Sequence, residues 1–222
     1  YEMEHEIRQN IPIFYYNIWD DLPTPYYNAN FYRSSDLLMG ISKQTYGINK
    51  RILSEHDYED WQVKYIPHGI NSKKIFKMDR AHPSLDKIQK ICGIDNHKFK
   101  ILYLNRNIRR KNPGDVIMAY KHDNGTDFRA VCGALLPKEY SVVFTHDKGQ
   151  FFDDRHVNYL HNVSDVYINI ASNEGFGLGS CEALHTGTPI IVNVTGGLQD
   201  QCGFKNEKGE YLTAEDYVEL GS

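Results

Sequence analysis

The chain has 222 residues, of which 24% are charged and 41% apolar, with 17 glycines and 8 prolines. That length buries a core without disulfide or metal staples, and the composition excludes collagen-like, coiled-coil and wholly disordered chains. A formal net charge of −4 gives no global attraction to nucleic acid or anionic lipid, so any anion must be held locally.

The longest apolar runs, such as Ile190 to Val192, fall far short of the roughly 20 residues a membrane-spanning helix needs. No transmembrane segment is therefore expected, which points to a cytoplasmic location. Tyr1 is not Met, and the true N-terminus, with any targeting peptide, is expected upstream. Cys92, Cys132, Cys181 and Cys202 form no Cys-x-x-Cys pair, so mostly buried, reduced thiols are expected instead of a zinc or redox site. The Asn-x-Ser/Thr triplets at Asn124, Asn162 and Asn193 read as chance matches, because no signal peptide accompanies them.

In chain order, apolar and β-branched runs mark strands at Ile11 to Tyr16, Val63 to Ile66, Ile101 to Leu104, Val142 to Thr145, Val166 to Ala171 and Pro189 to Val194. Continuous runs of this kind suit strands buried on both faces, as in parallel sheets. Before Ser54 the chain, rich in Tyr and Asn, reads as one strand and then two helices, the second capped by Ser42 and carrying Tyr46 and Ile52 or Leu53. A turn at Ile66-Pro67-His68-Gly69-Ile70 marks a boundary. Ser84 is the expected cap of a helix that shows Leu85, Ile88 and Ile91 on one face and ends at Gly93. Pro113 starts a helix running to about Lys121, and the Asp123-Asn124-Gly125 turn leads straight into another at Thr126 to Leu136, with the stripe Phe128, Val131, Cys132, Leu135 and Leu136. Two helices with no strand between them suggest a helical hairpin or a missing strand-bearing segment near residues 120–125. A short helix at Ser180 to His185 lies between two strands, as in a right-handed crossover. The alternation of strand and helix means an α/β fold with a parallel sheet flanked by helices.

The richest segment is Ser172-Asn173-Glu174-Gly175-Phe176-Gly177-Leu178-Gly179-Ser180-Cys181-Glu182-Ala183-Leu184, which leaves a strand and opens a helix. Glycines let backbone approach a ligand closely, and the unpaired N–H groups of a helix start favour a phosphate. Glu174 stands at the carboxyl edge of the strand, where open α/β sheets bind ligands, and Glu182 lies about one turn into the helix. Carboxylates accept from paired hydroxyls, as a sugar or ribose offers. Either glutamate alone would read as a helix-dipole complement or a loop charge. Their spacing, the glycines between them and the Thr186-Gly187-Thr188-Pro189 run argue together for a site. Asn105-Arg106-Asn107-Ile108-Arg109-Arg110-Lys111-Asn112-Pro113 also connects a strand to a helix, and its Arg and Lys side chains suit phosphate oxygens.

These segments resemble the Glu-x7-Glu motif and the diphosphate-binding loop of the family 4 retaining glycosyltransferases, which have the GT-B fold of two Rossmann-like domains. The resemblance spans most of the chain and is strongest from Ile101 to Gly203. Gly179 stands where the family carries Pro, Asn105 where it carries Gly, and His68 where its interdomain turn carries Asn. Leu184 and His185 replace an often smaller pair, and Thr195-Gly196-Gly197 matches the Gly-Gly loop beside the cleft.

The resemblance implies that residues 1–65 are the end of an N-terminal acceptor-side domain and 66–222 a C-terminal nucleotide-sugar donor domain. It implies that Arg106 and Lys111 neutralise the diphosphate and that Gly175, Phe176, Gly177 and Leu178 line the donor through backbone N–H groups. Glu174 would hold sugar hydroxyls and Glu182 the ribose. Arg106, Lys111 and Glu174 are then the expected catalytic residues, and a hexosyltransferase-like activity is expected. The family's glycine-rich loop and sugar-contacting His have no counterpart among His5, His56 and the other histidines, so no catalytic His is assigned. His68 reads as a turn residue.

No Asp-x-Asp pair or His/Cys cluster at metal-ligand spacing occurs, so transfer without metal or cofactor is expected, with the nucleoside diphosphate sugar as donor and a carbohydrate or other hydroxyl as acceptor. Three alternatives stand beside this. A sugar-nucleotide epimerase would need acid/base carboxylates at ring carbons, which the Glu-x7-Glu spacing disfavours. A non-catalytic nucleotide-sugar or carbohydrate-binding module would bind and never turn over. A glycosyltransferase acting on a DNA base would need a nucleic-acid acceptor, which the acidic balance disfavours. Oligomeric state is not readable.

Overall fold

Two three-stranded sheets, every pairing in them parallel, organise the molecule, and each belongs to its own unit. The computed structural model describes residues 3–94, 99–105, 109–118, 152–203 and 205–211. The first unit comprises Tyr1–Gly69, Asn173–Leu178 and Val194–Ser222, and the second Ile70–Ser172 and Gly179–Asn193. No described helix is long and apolar enough to cross a membrane.

In the first unit α1 (Glu4–Arg8) precedes β1 (Phe14–Asn17), α2 (Ala29–Arg33), β2 (Leu37–Gly40), α3 (Lys43–Leu53) and β3 (Val63–Tyr65). The sheet order is β1-β2-β3, with Phe14 opposite Leu37 and Leu38 opposite Val63. The Leu37–Gly40 stretch is thus a strand, not part of the helical pair expected before Ser54. Three consecutive apolar residues fit either element, and pairing with both neighbours decides. Ser42 caps α3 as expected, its Oγ accepting from the Thr45 N–H at 3.0 Å. Tyr32, Leu38, Ile48, Ile52, Leu53 and Val63 form the core, with Tyr46 packed against it. Gly40 admits α3, since a Cβ there would lie 2.7 Å from the Tyr46 nitrogen. The Asn17 amide closes the sheet onto the helix by donating to Asn49 at 2.6 Å. The expectation of strands buried on both faces fails for β1, where Phe14, Tyr15 and Tyr16 are exposed, and for the second unit's strand Ile190–Val192, where Ile191 is; among the described residues both are edge strands of their sheets.

The second unit contains α4 (Pro83–Cys92), β4 (Ile101–Leu102), α5 (Pro113–Met118), α6 (Asp154–Val163), β5 (Val166–Asn169) and β6 (Ile190–Val192), in sheet order β4-β5-β6. Helix α7 (Leu178–Thr186) starts at the last residue of the first unit's 173–178 segment and connects β5 to β6. Helix α8 (Gly196–Cys202) returns to the first unit. His82, not Ser84, caps α4: Pro83 sets the first helical φ and lacks an N–H, and the Ser84 N–H donates to His82 Nδ1 at 3.2 Å. The buried face of α4 carries Leu85, Ile88 and Cys92, with Ile91 turned partly outward. Against it pack Leu160 and Val163 of α6. Cys92 is buried as expected, whereas Cys202, the last residue of α8, is exposed.

Asn162 is buried and its amide donates to Phe76 O at 3.0 Å, while Asn193 donates to Ala171 O at 3.3 Å, so both side chains have structural work. The expected helix at Thr126 to Leu136, the strand at Val142 to Thr145, Asn124, Cys132 and the junction near 120–125 lie outside the described residues.

A single close approach sets α7 on the sheet. Tyr167 in β5 is 1% exposed, and a Cβ on Gly179 would lie 2.3 Å from its hydroxyl oxygen and 2.9 Å from Cζ. Only glycine fits, which gives a physical reason for the absence of a proline here. Gly179→Ala is expected to destabilise the protein by about 1–3 kcal/mol through overpacking, despite alanine's better helix propensity. Adding Tyr167→Phe should recover part of the loss in a denaturant titration, and a Gly179→Ala variant as stable as wild type would contradict the packing.

Helix α6 predicts a pH dependence. Asp153 caps it, accepting from the Arg155 and His156 N–H groups at 3.1 and 3.2 Å and from the Arg155 guanidinium, which holds the carboxyl down at about 2. A depressed carboxylate stabilises the fold fully above its ordinary value near 3.8 and loses that contribution as pH falls toward 2. Asp153→Asn keeps an acceptor at the cap but no charge. Its Tm deficit relative to wild type should be constant near neutrality and shrink between pH 4 and pH 2.

Candidate functional site

At the carboxyl ends of the adjacent parallel strands β4 and β5, two loops are stitched together by their backbones. The Ser172 N–H donates to Arg110 O at 2.8 Å, and the Asn112 side chain donates to Ile170 O at 2.9 Å. Asn112 reaches that carbonyl from φ 51°, a left-handed conformation that Asn tolerates better than most residues. The Tyr103 hydroxyl donates to Lys111 O at 2.8 Å, and burial pushes that phenol up to about 12, so it remains a donor across the physiological range. Residues 109–111 form a short 3-10 turn in which the Lys111 side chain is 7% exposed. Parallel strand ends of this kind are where open α/β sheets bind ligands.

The second component is the face of α7 that meets β5 and α6. Gly179 and Glu182 are three residues apart and share a helix face. With Gly179 against Tyr167, the Glu182 carboxylate comes to 3.3 Å from Nε2 of His161 in α6, and the His161 ring lies 5.4 Å from the Tyr167 ring. His161 is wholly buried, whereas the Glu182 side chain remains 20% exposed. Burial, then the neighbouring Glu182 charge, raises the Cys181 thiol above its ordinary value, so it stays protonated at neutral pH.

In the first unit, residues 173–178 form a turn clamped by the start of α8. The Gly197 N–H donates to Glu174 O at 2.8 Å. A Cβ on Gly197 would lie 2.5 Å from Phe176 Cα, and one on Gly196, where φ is +45°, 1.9 Å from Glu174 O. Gln201 donates to Gly177 O at 3.1 Å, and Gly196 N–H donates to Gln44 of α3 at 2.9 Å. Asn173 donates to the Asp21 carboxylate and to Asp20 O. The His68 ring stands 5.6 Å from Phe176, and its Nδ1 lies 2.7 Å from Gly69 O, the surroundings of a turn residue. The Asp200 carboxyl accepts from the Lys43 N–H at 2.8 Å, and burial raises it above the usual carboxylate range.

The sequence-predicted residues are thus distributed over both units. Glu174, Gly175, Phe176, Gly177 and Leu178 belong to the first, and Lys111 and Glu182 to the second. Arg106 lies outside the described residues. The expected Gly-Gly loop is the opening of α8. His161 went unnoticed in the sequence, although the Asp153 cap followed by Val157, Leu160 and Val163 would have revealed its helix. Among the described residues, no group of three or more His, Cys, Asp or Glu side chains could hold a metal ion.

No family model matches the chain. It is 25% identical over 177 residues to the alpha-monoglucosyldiacylglycerol synthase of Acholeplasma laidlawii, a match covering 74% of this chain and 43% of that protein. It is 27% identical over 136 residues to the trehalose synthase of Pyrococcus horikoshii, covering 58% of this chain and 32% of the relative. The chain therefore spans less than half the length of these curated relatives. Among solved structures, Anabaena HepE in complex with UDP and glucose superposes with a TM-score of 0.63 at 14% identity, covering 95% of this chain and 61% of that one. The sucrose-phosphate synthase of Thermosynechococcus elongatus gives 0.58 at 17% identity, covering 98% and 59%. These homologues and structural neighbours are GT-B glycosyltransferases. The chain has the α/β architecture of that group, with parallel sheets flanked by helices.

Proposed function

We propose that this chain carries the donor-binding part of a family 4 type glycosyltransferase. It transfers a hexose from a nucleoside diphosphate sugar to an acceptor hydroxyl, with retention at the anomeric carbon and without a metal or cofactor. Residues 1–65 are then the end of the acceptor-side domain and 66–222 the donor domain. The observation that carries the reading is the succession along the chain of β5, the glycine-clamped 173–178 turn and α7, with Glu174 ahead of the helix and Glu182 within its first turns. Uridine nucleotides are the first donors to test, because the Anabaena neighbour was solved with UDP and with UDP-glucose.

The chemistry follows from where charge develops. As the bond from the anomeric carbon to the diphosphate breaks, negative charge builds on the departing phosphate oxygens, and preorganised cations and N–H groups lower that barrier. Lys111 and Arg106 supply the cations, and the N–H groups at residues 175–178 face the phosphate and sugar. Glu182 accepts from the ribose hydroxyls. Glu174 accepts from sugar hydroxyls and orients the ring without becoming a covalent nucleophile. The acceptor is a carbohydrate or another hydroxyl compound.

Arg106→Ala or Lys111→Ala should each cost about 1.5–3 kcal/mol in UDP affinity by calorimetric titration, the range for a charge-assisted hydrogen bond. Arg110→Ala should cost less, and equal losses at all three would indicate a diffuse basic patch. Glu174→Gln should leave UDP affinity nearly intact and depress turnover, whereas Glu182→Ala should chiefly weaken UDP binding.

Metal independence and stereochemistry are tested by turnover in excess EDTA, with the product anomer read by NMR. Full activity and a retained anomer are expected. Loss of activity on chelation, or an inverted anomer, would overturn the assignment. Tight donor binding without transfer to any hydroxyl acceptor would support a binding module instead.

A further inference from the structure

We propose that His161 is a positioning residue that fixes the Glu182 carboxylate in the orientation in which it accepts the ribose hydroxyls; this rests on the reading of Glu182 as the ribose acceptor. His161 Nε2 lies 3.3 Å from Glu182 Oε2, and the imidazole is wholly buried, while Nδ1 has no hydrogen-bond partner. Those observations select one tautomer. With the proton on Nε2, the ring donates to the carboxylate and leaves only an unpaired lone pair at Nδ1. With the proton on Nδ1, a donor would be buried without an acceptor and the Nε2 lone pair would face a carboxylate oxygen, which costs more.

His161 and its helix are held by their neighbours. The Thr188 hydroxyl donates to His161 O at 2.8 Å, and Tyr167 lies beside the ring. Helix α6 is pinned by Asn158 and Asn162, which accept the Phe76 and Met78 N–H groups at 2.9 and 2.7 Å. A donor so fixed takes one lone pair of Oε2. The carboxylate keeps acceptor capacity enough for a pair of vicinal hydroxyls, on a side chain that stays 20% exposed. A purely structural filler at position 161 would be apolar, since the orphan Nδ1 costs stability that a hydrocarbon would not. The imidazole stands instead where its one working N–H meets the second glutamate of the motif.

The test compares UDP, ADP and GDP binding by calorimetry in wild type, His161→Gln, His161→Phe, Glu182→Ala and the His161→Phe/Glu182→Ala double variant. His161→Phe should weaken binding of the preferred nucleotide by about tenfold, the scale of one hydrogen bond to a charged group. His161→Gln, which restores an N–H, should stay within about threefold of wild type. The double variant should bind no more weakly than Glu182→Ala, because the histidine acts only through that carboxylate. Wild-type affinity in His161→Phe, or additive losses in the double variant, would overturn the proposal. Should His161→Phe fail to fold, nitrogen NMR of the wild-type imidazole decides: an Nε2-protonated ring whose signal moves on UDP addition supports the role, and an Nδ1-protonated ring overturns it. A wild type that binds none of the three nucleotides instead overturns the donor-site reading itself, and the role of His161 with it.

Discussion

The absence of a side chain at residue 179 governs the geometry of the second unit. A Tyr167 hydroxyl fills the space that any Cβ would take, so α7 lies close against β5 at its first turn. One turn further on, the same helix face brings Glu182 to His161. Packing density makes such a constraint stiff, because a methyl-sized addition has nowhere to go without displacing the helix. The carboxylate is thereby anchored by backbone placement and oriented by a buried donor, on a side chain that stays partly exposed.

The first unit uses the same device at a different place. Gly196 and Gly197 carry no side chain where the main chain of residues 174–176 passes, and a single N–H to Glu174 O locks the approach. The result is a glycine-containing turn whose shape is set by backbone against backbone and by Gln201. A turn held in this way presents its remaining groups without depending on side-chain rotamers, a preorganisation that recognition of sugar and phosphate oxygens rewards. Lys111 belongs to the other unit, and its placement rests on loops at the ends of β4 and β5 that are tied by main-chain and Asn112 hydrogen bonds.

Much of this was legible in the residues. Helix α3 follows from the Ser42 cap with Tyr46 and Ile52 or Leu53 behind it, and β5 from a continuous apolar run. The glycines and glutamates of 174–182 mark a candidate site, because no ordinary loop needs that combination. Strand β2 was not legible, because Leu37 to Met39 has no period of its own and becomes a strand only between β1 and β3. The cap of α4 lies two residues before the expected Ser84, because Pro83 starts the helix. The relation of His161 to Glu182 joins residues 21 apart through a third element, and no local pattern encodes it. Gly179 illustrates the intermediate case: it is visible as a departure from the proline of the motif that the segment resembles, and its cause emerges only from Tyr167.

On the proposed reading, Glu182 and Lys111 belong to a nucleoside diphosphate site. A crystal structure of the protein with UDP tests it most directly. The ribose hydroxyls are expected on the Glu182 carboxylate, with His161 still donating from behind, and the diphosphate at Lys111 and Arg106. A nucleotide seated elsewhere, with the Glu182 carboxylate engaged by His161 alone, would contradict it.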